Sequence, residues 1–196
     1  NGARETSCLV ITDITVEVGD PVLNFDIETG DMLFVDRFSY HFFEPQVGDP
    51  FVFRTEGIPG TRSVDPQTRS FVETEQYYIK RLVGKGGDTL KVTDSGTLLR
   101  NGEPIDGAEA FQRNHEHQGE YEGYSQQGRL SGGRGETVTE GYFYAMGDNS
   151  DESADSRLWG LSAFNRPQTH RLTMEEVEAD VPLNHIPRRN VVGKAL

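Results

Sequence analysis

The sequence of 196 residues has one cysteine, few basic residues and no long apolar run. A single cysteine cannot form an internal disulfide, so the composition leaves the redox compartment undetermined. The longest apolar stretches, CLVI and MLFV, are far shorter than the about 20 residues that a membrane-spanning helix requires. We therefore expect the chain itself to be soluble, while a membrane anchor beyond its ends stays an open alternative.

The shortage of positive charge excludes one large class of partners. The sequence contains 19 Lys and Arg and 32 Asp and Glu, which gives a net charge of −13 at pH 7. Binding of nucleic-acid phosphates requires a basic face, and binding of anionic lipid requires a polybasic patch. The sequence therefore predicts no nucleic-acid partner. Its length fits one domain with room for an inserted subdomain.

The single cysteine is best explained as a packing residue. Cys8 lies in the apolar run SCLVIT, where burial is the ordinary role of a free cysteine. A nucleophilic cysteine would need a nearby base and a lowered pKa. The local sequence supplies neither.

Helical patterns are scarce, and most of the chain has the alternation of a β-protein. One helix is predicted over 172–180, where Thr173 and Glu176 have the spacing of a capping box. A hairpin is predicted over 88–105, with its first turn at 94–96 and a second at RNGEP. The strand-like segments are 7–18, 31–40, 48–56, 70–84 (long enough for two strands), 88–105 and 136–147 (a candidate strand pair).

Residues 107–135 differ from the rest in composition. They are rich in Gly, Gln, Glu and His and poor in aliphatic residues, which predicts a surface loop or a small inserted lobe. His115 and His117 flank Glu116, and on a strand both rings would point the same way and could share a metal. A solvated loop is the simpler interpretation, and we predict no metal site.

In the stretch YYIKRLVGKGGD, Lys80 lies between aromatic and aliphatic neighbours. On a strand, Tyr78, Lys80 and Leu82 share one face, while Ile79, Arg81 and Val83 share the other. Burial of the Lys80 amine would lower its pKa and allow it to act as a general base. An edge-strand lysine whose amine reaches water fits the same pattern.

The stretch MGDNSDESADSRLWG, residues 146–160, combines four acids with an arginine and the only tryptophan. It lacks the spacing of a calcium-binding loop and the glycine at its sharp turn. It could be a turn held by an Asp155–Arg157 ion pair. Alternatively, a serine hydroxyl in the loop could orient a neutral lysine amine, with the ion pair fixing that serine. Spacing alone does not decide between the two.

Four motifs, in this order, resemble those of the bacterial type I signal peptidases, membrane-bound Ser/Lys endopeptidases that remove signal peptides. The third has the pattern Gly-Asp-Asn-x-x-x-Ser-x-Asp-Ser-Arg-x-Trp-Gly and is long and specific. The motifs are GDMLFVDRFSY (30–40), YIKRLVGKGGD (78–88), GDNSDESADSRLWG (147–160) and VPLNHIPRRNVVGKA (181–195).

The resemblance implies a mostly β, signal-peptidase/LexA-like complex fold with a small inserted lobe. The peptidase core would comprise residues 1–106 and 136–196, and the lobe residues 107–135. The protein would act at the extracytoplasmic (periplasmic) face of the cell membrane, with signal peptides of preproteins as partners and an anchor outside this chain. Ser/Lys hydrolysis needs no cofactor.

The resemblance also assigns catalytic roles to five residues. Lys80 would be the general base, and the Ser153 hydroxyl would hydrogen-bond its amine. Asp155 and Arg157 would be the supporting ion pair, and Gly147 would let the backbone pass close to the lysine side chain.

A substrate groove is implied as well. The strand leading to Lys80, with Tyr77, Tyr78 and Ile79, would form one wall for an extended substrate peptide, which would add backbone hydrogen bonds to the strand.

One departure from the family pattern concerns the nucleophile. The family carries it in a Ser-Met-x-Pro-Thr motif upstream of the first Gly-Asp segment, but Met32, Met146 and Met174 follow Asp, Ala and Thr. The family's oxyanion-hole hydroxyl near that motif is missing too, and Ser7, the nearest upstream serine, lacks the motif context. We expect the chain to be a fragment cut just after the nucleophile, and inactive by itself. Segments 10–29 and 161–180 are insertions relative to the family.

Two other functions remain open. The protein could be a non-catalytic relative that binds extended peptides, or a self-cleaving domain of the LexA type, which shares the Ser/Lys chemistry. The latter lacks the long motif at 147–160.

Overall fold

Twelve short strands build the part of the chain that a computed structural model describes, namely residues 33–58, 61, 63–64, 71–72, 76–159 and 184–196. They are β1 (Val35–Asp36), β2 (Pro50–Arg54), β3 (Ser63–Val64), β4 (Phe71–Val72), β5 (Tyr77–Lys85), β6 (Thr89–Val92), β7 (Leu98–Arg100), β8 (Glu103–Pro104), β9 (Gly135–Thr137), β10 (Tyr142–Met146), β11 (Ile186–Pro187) and β12 (Val191–Ala195). The helical elements are α1 (Glu109–His115) and three 3₁₀ turns at Ser39–His41, Gly128–Gly133 and Arg188–Asn190. The mostly β class predicted from the sequence is confirmed.

Two antiparallel sheets hold most of the strands. The larger has the order β1-β12-β2-β5-β10-β11, so β5 lies at its centre between β2 and β10. The smaller has the order β8-β7-β6-β9, and β3 pairs with β4 separately.

Strand β5 is buried on both faces along its second half. Its side chains alternate, so that Leu82 and Val83 enter two different apolar clusters. The cluster on the Val83 side is Val83, Leu90, Val92, Leu98, Phe111, Tyr124, Leu130, Val138, Tyr144 and Met146. The cluster on the Leu82 side is Phe51, Phe53, Ile58, Leu82, Phe143, Ala145, Trp159 and Ile186. Burial on both sides fixes β5 as a rigid support for the residues that precede Leu82.

The predicted hairpin over 88–105 is confirmed. β6 pairs with β7 across the turn at 94–96, and β7 pairs with β8 across a turn in which Asn101 and Gly102 both have positive φ. This is the backbone that an Asn-Gly turn between strands requires.

Of three other segments, 70–84 agrees with the expectation from the sequence, while 31–40 and 136–147 depart from it. Within its described residues, 33–40, segment 31–40 contributes only the two residues of β1 and then enters a 3₁₀ turn. Segment 70–84 holds two strands, β4 and β5, as its length allowed. Segment 136–147 overlaps β9 and β10, but these do not pair with each other: β9 pairs with β6 and β10 with β5.

The polar segment 107–135 contributes more to the core than its composition indicates. It forms α1, and Phe111, Tyr124 and Leu130 are buried in the cluster with Val83. Composition did not predict this, because three isolated apolar residues among polar ones give no periodic pattern.

Several predictions fall on residues outside the described part of the chain. These are the strand at 7–18, the helix at 172–180, the insertions at 10–29 and 161–180, and the environments of Ser7 and Cys8.

Candidate active site

The structure brings Lys80 and Ser153 together, although they are 73 residues apart in the chain. Lys80 lies on β5 opposite Phe51 of β2, and its Nζ donates a hydrogen bond to Ser153 Oγ at 2.8 Å. Ser153 itself is buried. This hydrogen bond fixes where the Lys80 amine lies relative to the loop that carries Ser153.

The surroundings of Lys80 favour its neutral form. Burial lowers the pKa of the Lys80 amine below its ordinary value; the carboxylates of Asp155 and Asp148 oppose this, and the Arg157 guanidinium adds to it. The alternative of an edge lysine with its amine in water does not match this half-buried position. A lysine with a lowered pKa can accept a proton near neutral pH.

Asp155 and Arg157 form an ion pair that is fully buried on both sides. The Arg157 Nε donates to Asp155 Oδ1 at 2.9 Å and its Nη2 to Asp155 Oδ2 at 2.8 Å, a bidentate arrangement. Asp155 also accepts hydrogen bonds from the backbone N–H groups of Gly147 and Arg157, each at 3.1 Å. The pair therefore fixes the loop that carries Ser153 against the end of β10.

Gly147 permits a close approach between that loop and the strand end. A Cβ atom at this position would overlap Ser153 Oγ and lie 2.5 Å from Ser153 Cβ. Real atoms do not approach so closely, so a side chain here would displace Ser153. The family motif places Gly147 near the lysine, and in this structure its direct neighbour is the serine.

A second ion pair, which the sequence did not indicate, lies beside the first. Arg81, next to Lys80 and facing the other way, binds the Asp148 carboxylate through Nε at 2.7 Å and Nη2 at 2.6 Å. Its Nη1 donates to the carbonyl of Gly48, and Asn114 Nδ2 donates to the carbonyl of Asp148. The alternation of side chains along β5 did predict that Arg81 and Lys80 lie on opposite faces. Nothing local in the sequence identifies Asp148 as the partner of Arg81.

The three predicted substrate-wall residues have different environments. Tyr78 is partly buried and packs against Phe53 and Trp159, with ring centroids 6.2 and 6.3 Å away. Tyr77 and Ile79 are exposed. Strand β10 pairs with β5 only from Arg81 onward, so within the described residues Tyr77–Lys80 has a strand partner on the β2 side alone.

The two histidines that could have shared a metal do not lie on a strand. His115 ends α1 and its Nδ1 is 3.1 Å from Thr97 Oγ1, while His117 Nε2 is 3.1 Å from the carbonyl of Ser95. Within the described ranges, no group of three or more His, Cys, Asp or Glu side chains is arranged to hold a metal ion. In the same part of the chain, no helix is both long and apolar enough to cross a bilayer.

Comparison with known proteins identifies the family. A sequence model described as "Signal peptidase, peptidase S26" matches residues 23–195, so the chain belongs to this family of peptidases. The chain is 29% identical over 170 residues to the "Probable signal peptidase I-1" of Synechocystis sp., covering 87% of this chain and 62% of that protein. It is 30% identical over 200 residues to the signal peptidase I of Pseudomonas aeruginosa, covering 86% of this chain and 58% of that protein.

The chain spans about three fifths of the length of these curated relatives. A crystal structure of a signal peptidase I from Enterococcus faecalis aligns with a TM-score of 0.44 at 20% identity, over 78% of this chain and 97% of that chain.

Replacement of Gly147 tests the packing of the site. We expect Gly147→Ala to push Ser153 away and break its hydrogen bond with Lys80, because the new Cβ would overlap Ser153 Oγ. A crystal structure of the variant and a thermal unfolding curve measure both effects. Gly135→Ala is the matched control, since a Cβ there meets its nearest atom at 3.4 Å. An intact Lys80–Ser153 hydrogen bond in Gly147→Ala would contradict the prediction.

Replacement of Lys80 by methionine tests the cost of burying the amine. Because the folded-state pKa is lowered, the unfolded state binds more protons between the folded and unfolded pKa values, so stability rises with pH there. We expect Lys80→Met to unfold at higher urea concentration than wild type at neutral pH, with the difference shrinking toward pH 10. Lys91→Met, at an exposed position on β6, should show no such trend. A gain that is independent of pH would show that the amine's charge is not its cause.

Proposed function

We propose that the chain is the catalytic domain of a signal peptidase I, a serine endopeptidase that removes signal peptides from preproteins by Ser/Lys chemistry. The observation that carries the proposal is the half-buried Lys80 amine, held by Ser153 and with its pKa lowered. Membership of the signal peptidase family supports it.

In this proposal Lys80 is the general base. Its neutral amine takes the proton of a serine hydroxyl as that oxygen attacks the scissile carbonyl carbon, and the proton then passes to the amine of the leaving mature protein. Water then attacks the resulting ester; Lys80 takes a proton from the water and returns it to the serine oxygen as the acyl–oxygen bond breaks, which releases the cleaved signal peptide. No metal or organic cofactor enters these steps.

The other site residues have supporting roles. Ser153 orients the Lys80 amine, so that its lone pair faces the nucleophile. Asp155 and Arg157 fix the Ser153 loop, and Gly147 leaves room for Ser153 beside the strand. The nucleophile of the proposal is a serine outside these 196 residues, because the sequence contains no Ser-Met pair. We therefore propose that the 196 residues do not cleave peptides by themselves.

The substrate in this proposal binds as an added strand. The segment Tyr77–Lys80 has a strand partner only on its β2 side within the described residues, and its other edge leads directly to Lys80. An extended signal peptide would pair with that edge through its backbone. Tyr77 and Ile79 would line its path, and Tyr78 would support them from the core.

We also propose that the domain works at the extracytoplasmic face of the cell membrane. Four exposed phenylalanines lie near the 3₁₀ turn at Ser39–His41 in the sequence, and we term them the aromatic patch: Phe34, Phe38, Phe42 and Phe43, each between 66% and 71% exposed. The rings of Phe38 and Phe42 are 4.9 Å apart. Exposed aromatic rings insert favourably at a lipid–water interface, whereas the net charge of −13 gives no attraction to anionic lipid.

Cleavage by the full-length gene product tests the function. We expect it to cut a preprotein after a small residue, and Lys80→Ala to reduce kcat by about a thousandfold or more, since the general base is lost. Lys85→Ala, later on the same strand, is the matched control. No cleavage by the unsubstituted protein in detergent would favour a peptide-binding relative, and cleavage only of its own chain would favour the LexA-type alternative.

Vesicle binding tests the aromatic patch. We expect the double variant Phe38→Ser, Phe42→Ser to bind zwitterionic phosphatidylcholine vesicles at least about tenfold more weakly, because two apolar rings no longer leave water. Sedimentation of the 196-residue chain with vesicles measures this. Leu99→Ser, on β7 of the smaller sheet, is the control for the loss of an apolar side chain elsewhere. Equal binding of the double variant and wild type would remove the patch from the proposal.

A further inference from the structure

The guanidinium of Arg157 is held from two directions. One side meets Asp155, as described above. On the other side Nη1 donates to the carbonyl oxygen of Ser125 at 3.1 Å, to Ser125 Oγ at 2.9 Å and to Ser150 Oγ at 2.6 Å, and Nη2 donates to the carbonyl of Ser150 at 2.7 Å. Every nitrogen of the guanidinium therefore has an acceptor, which a buried charge requires.

Ser125 belongs to the segment 107–135, which the sequence identified only as a polar insertion. Its backbone N–H donates to Ser150 Oγ at 2.8 Å, so the two serines hold each other as well as Arg157. From the same segment, the backbone N–H of Arg129 donates to the carbonyl of Arg157 at 3.0 Å, which ties the segment to the site loop independently of the serines. The inserted lobe thus touches the site loop where the loop supports Lys80.

The position of the guanidinium matters because its charge acts on Lys80. Among the described residues, the charged groups that act on Lys80 are Asp155, Arg157 and Asp148, while its neighbour Phe51 on β2 is uncharged. The charge of Arg157 lowers the pKa of the Lys80 amine, whereas the two carboxylates raise it. A small displacement of any of these groups therefore changes that pKa.

We propose that Ser125 is a positioning residue for Lys80: its two oxygens hold the Arg157 guanidinium in place on the loop whose Ser153 accepts a hydrogen bond from the Lys80 amine. The catalytic meaning of this role rests on the proposed function. The effect of Ser125 on the charge state of Lys80 can be measured whether or not the protein cleaves a peptide.

The expected direction of the Lys80 pKa change follows from the hydrogen bonds that hold the Asp155 carboxylate and the Arg157 guanidinium. Asp155 is fixed by the N–H groups of Gly147 and Arg157, neither of which depends on Ser125. Removal of the Ser125 hydroxyl therefore loosens the guanidinium while the carboxylate stays in place. The carbonyl acceptors of Ser125 and Ser150 remain, so we expect the variant to fold.

An NMR titration of the Lys80 side chain in the 196-residue chain tests the proposal. With labelled lysine, and with the Lys80 signal assigned by its loss in Lys80→Arg, we expect Ser125→Ala to raise the Lys80 pKa by about half a unit. Ser131→Ala, in the 3₁₀ turn Gly128–Gly133 of the same segment, is the matched control and should leave it unchanged. An unchanged Lys80 pKa in folded Ser125→Ala would overturn the proposal.

A second variant keeps the test decisive if Ser125→Ala does not fold. Ser125→Cys keeps a side chain of similar shape but replaces the hydroxyl that accepts from Arg157 by a much weaker acceptor, and we expect the same upward shift. No shift in this folded variant would then overturn the proposal.

Activity of the full-length protein separates this inference from the proposed function. If both hold, Ser125→Ala moves the acidic limb of kcat/KM to higher pH by the amount seen in the titration, which a purely structural role would not do. A Lys80 shift in a protein that never cleaves preproteins would support the positioning role and reject the peptidase function. Cleavage by the wild-type protein, without any Lys80 pKa shift in Ser125→Ala, would support the peptidase function and reject the positioning role.

Discussion

The buried ion pair of Asp155 and Arg157 is the interaction on which the rest of the site depends. Two charges without water are stable only when every donor and acceptor is satisfied, and here the partners come from several parts of the chain. That requirement ties the end of β10, the Ser153 loop and segment 107–135 to one another. The same charges then set the electrostatic environment of Lys80. Structural support and chemical tuning are therefore provided by the same few hydrogen bonds.

Strand β5 supplies the other half of the arrangement. Its second half is clamped between two apolar clusters and two neighbouring strands, while its first half has a strand partner only on the β2 side within the described residues. Lys80 lies where the half-paired first part of β5 meets the buried second part. The buried half fixes the position of the lysine backbone, and the half-paired part is where the proposed function places an extended peptide.

The sequence predicted the regular parts of this structure and, through a family motif, the meeting of Lys80 with the Ser153 loop. The hairpin over 88–105 follows from local turn chemistry and alternation. The contact between Lys80 and Ser153 joins positions 73 residues apart, so only the order of motifs could indicate it. The pairing of Arg81 with Asp148 and the burial of Phe111 depend on tertiary packing, which no local pattern encodes. The roles of the site residues in catalysis remain predictions.

The half-paired stretch of β5 has a consequence for the solution behaviour of the molecule. Unpaired strand edges recruit the edges of other chains, and long flat ones lead to aggregation. Here the stretch Tyr77–Lys80 is only four residues long and ends at a lysine whose amine is engaged with Ser153. A second copy of the protein could therefore gain few backbone hydrogen bonds there. The shortness of this edge within the described residues therefore disfavours association of folded copies through β5.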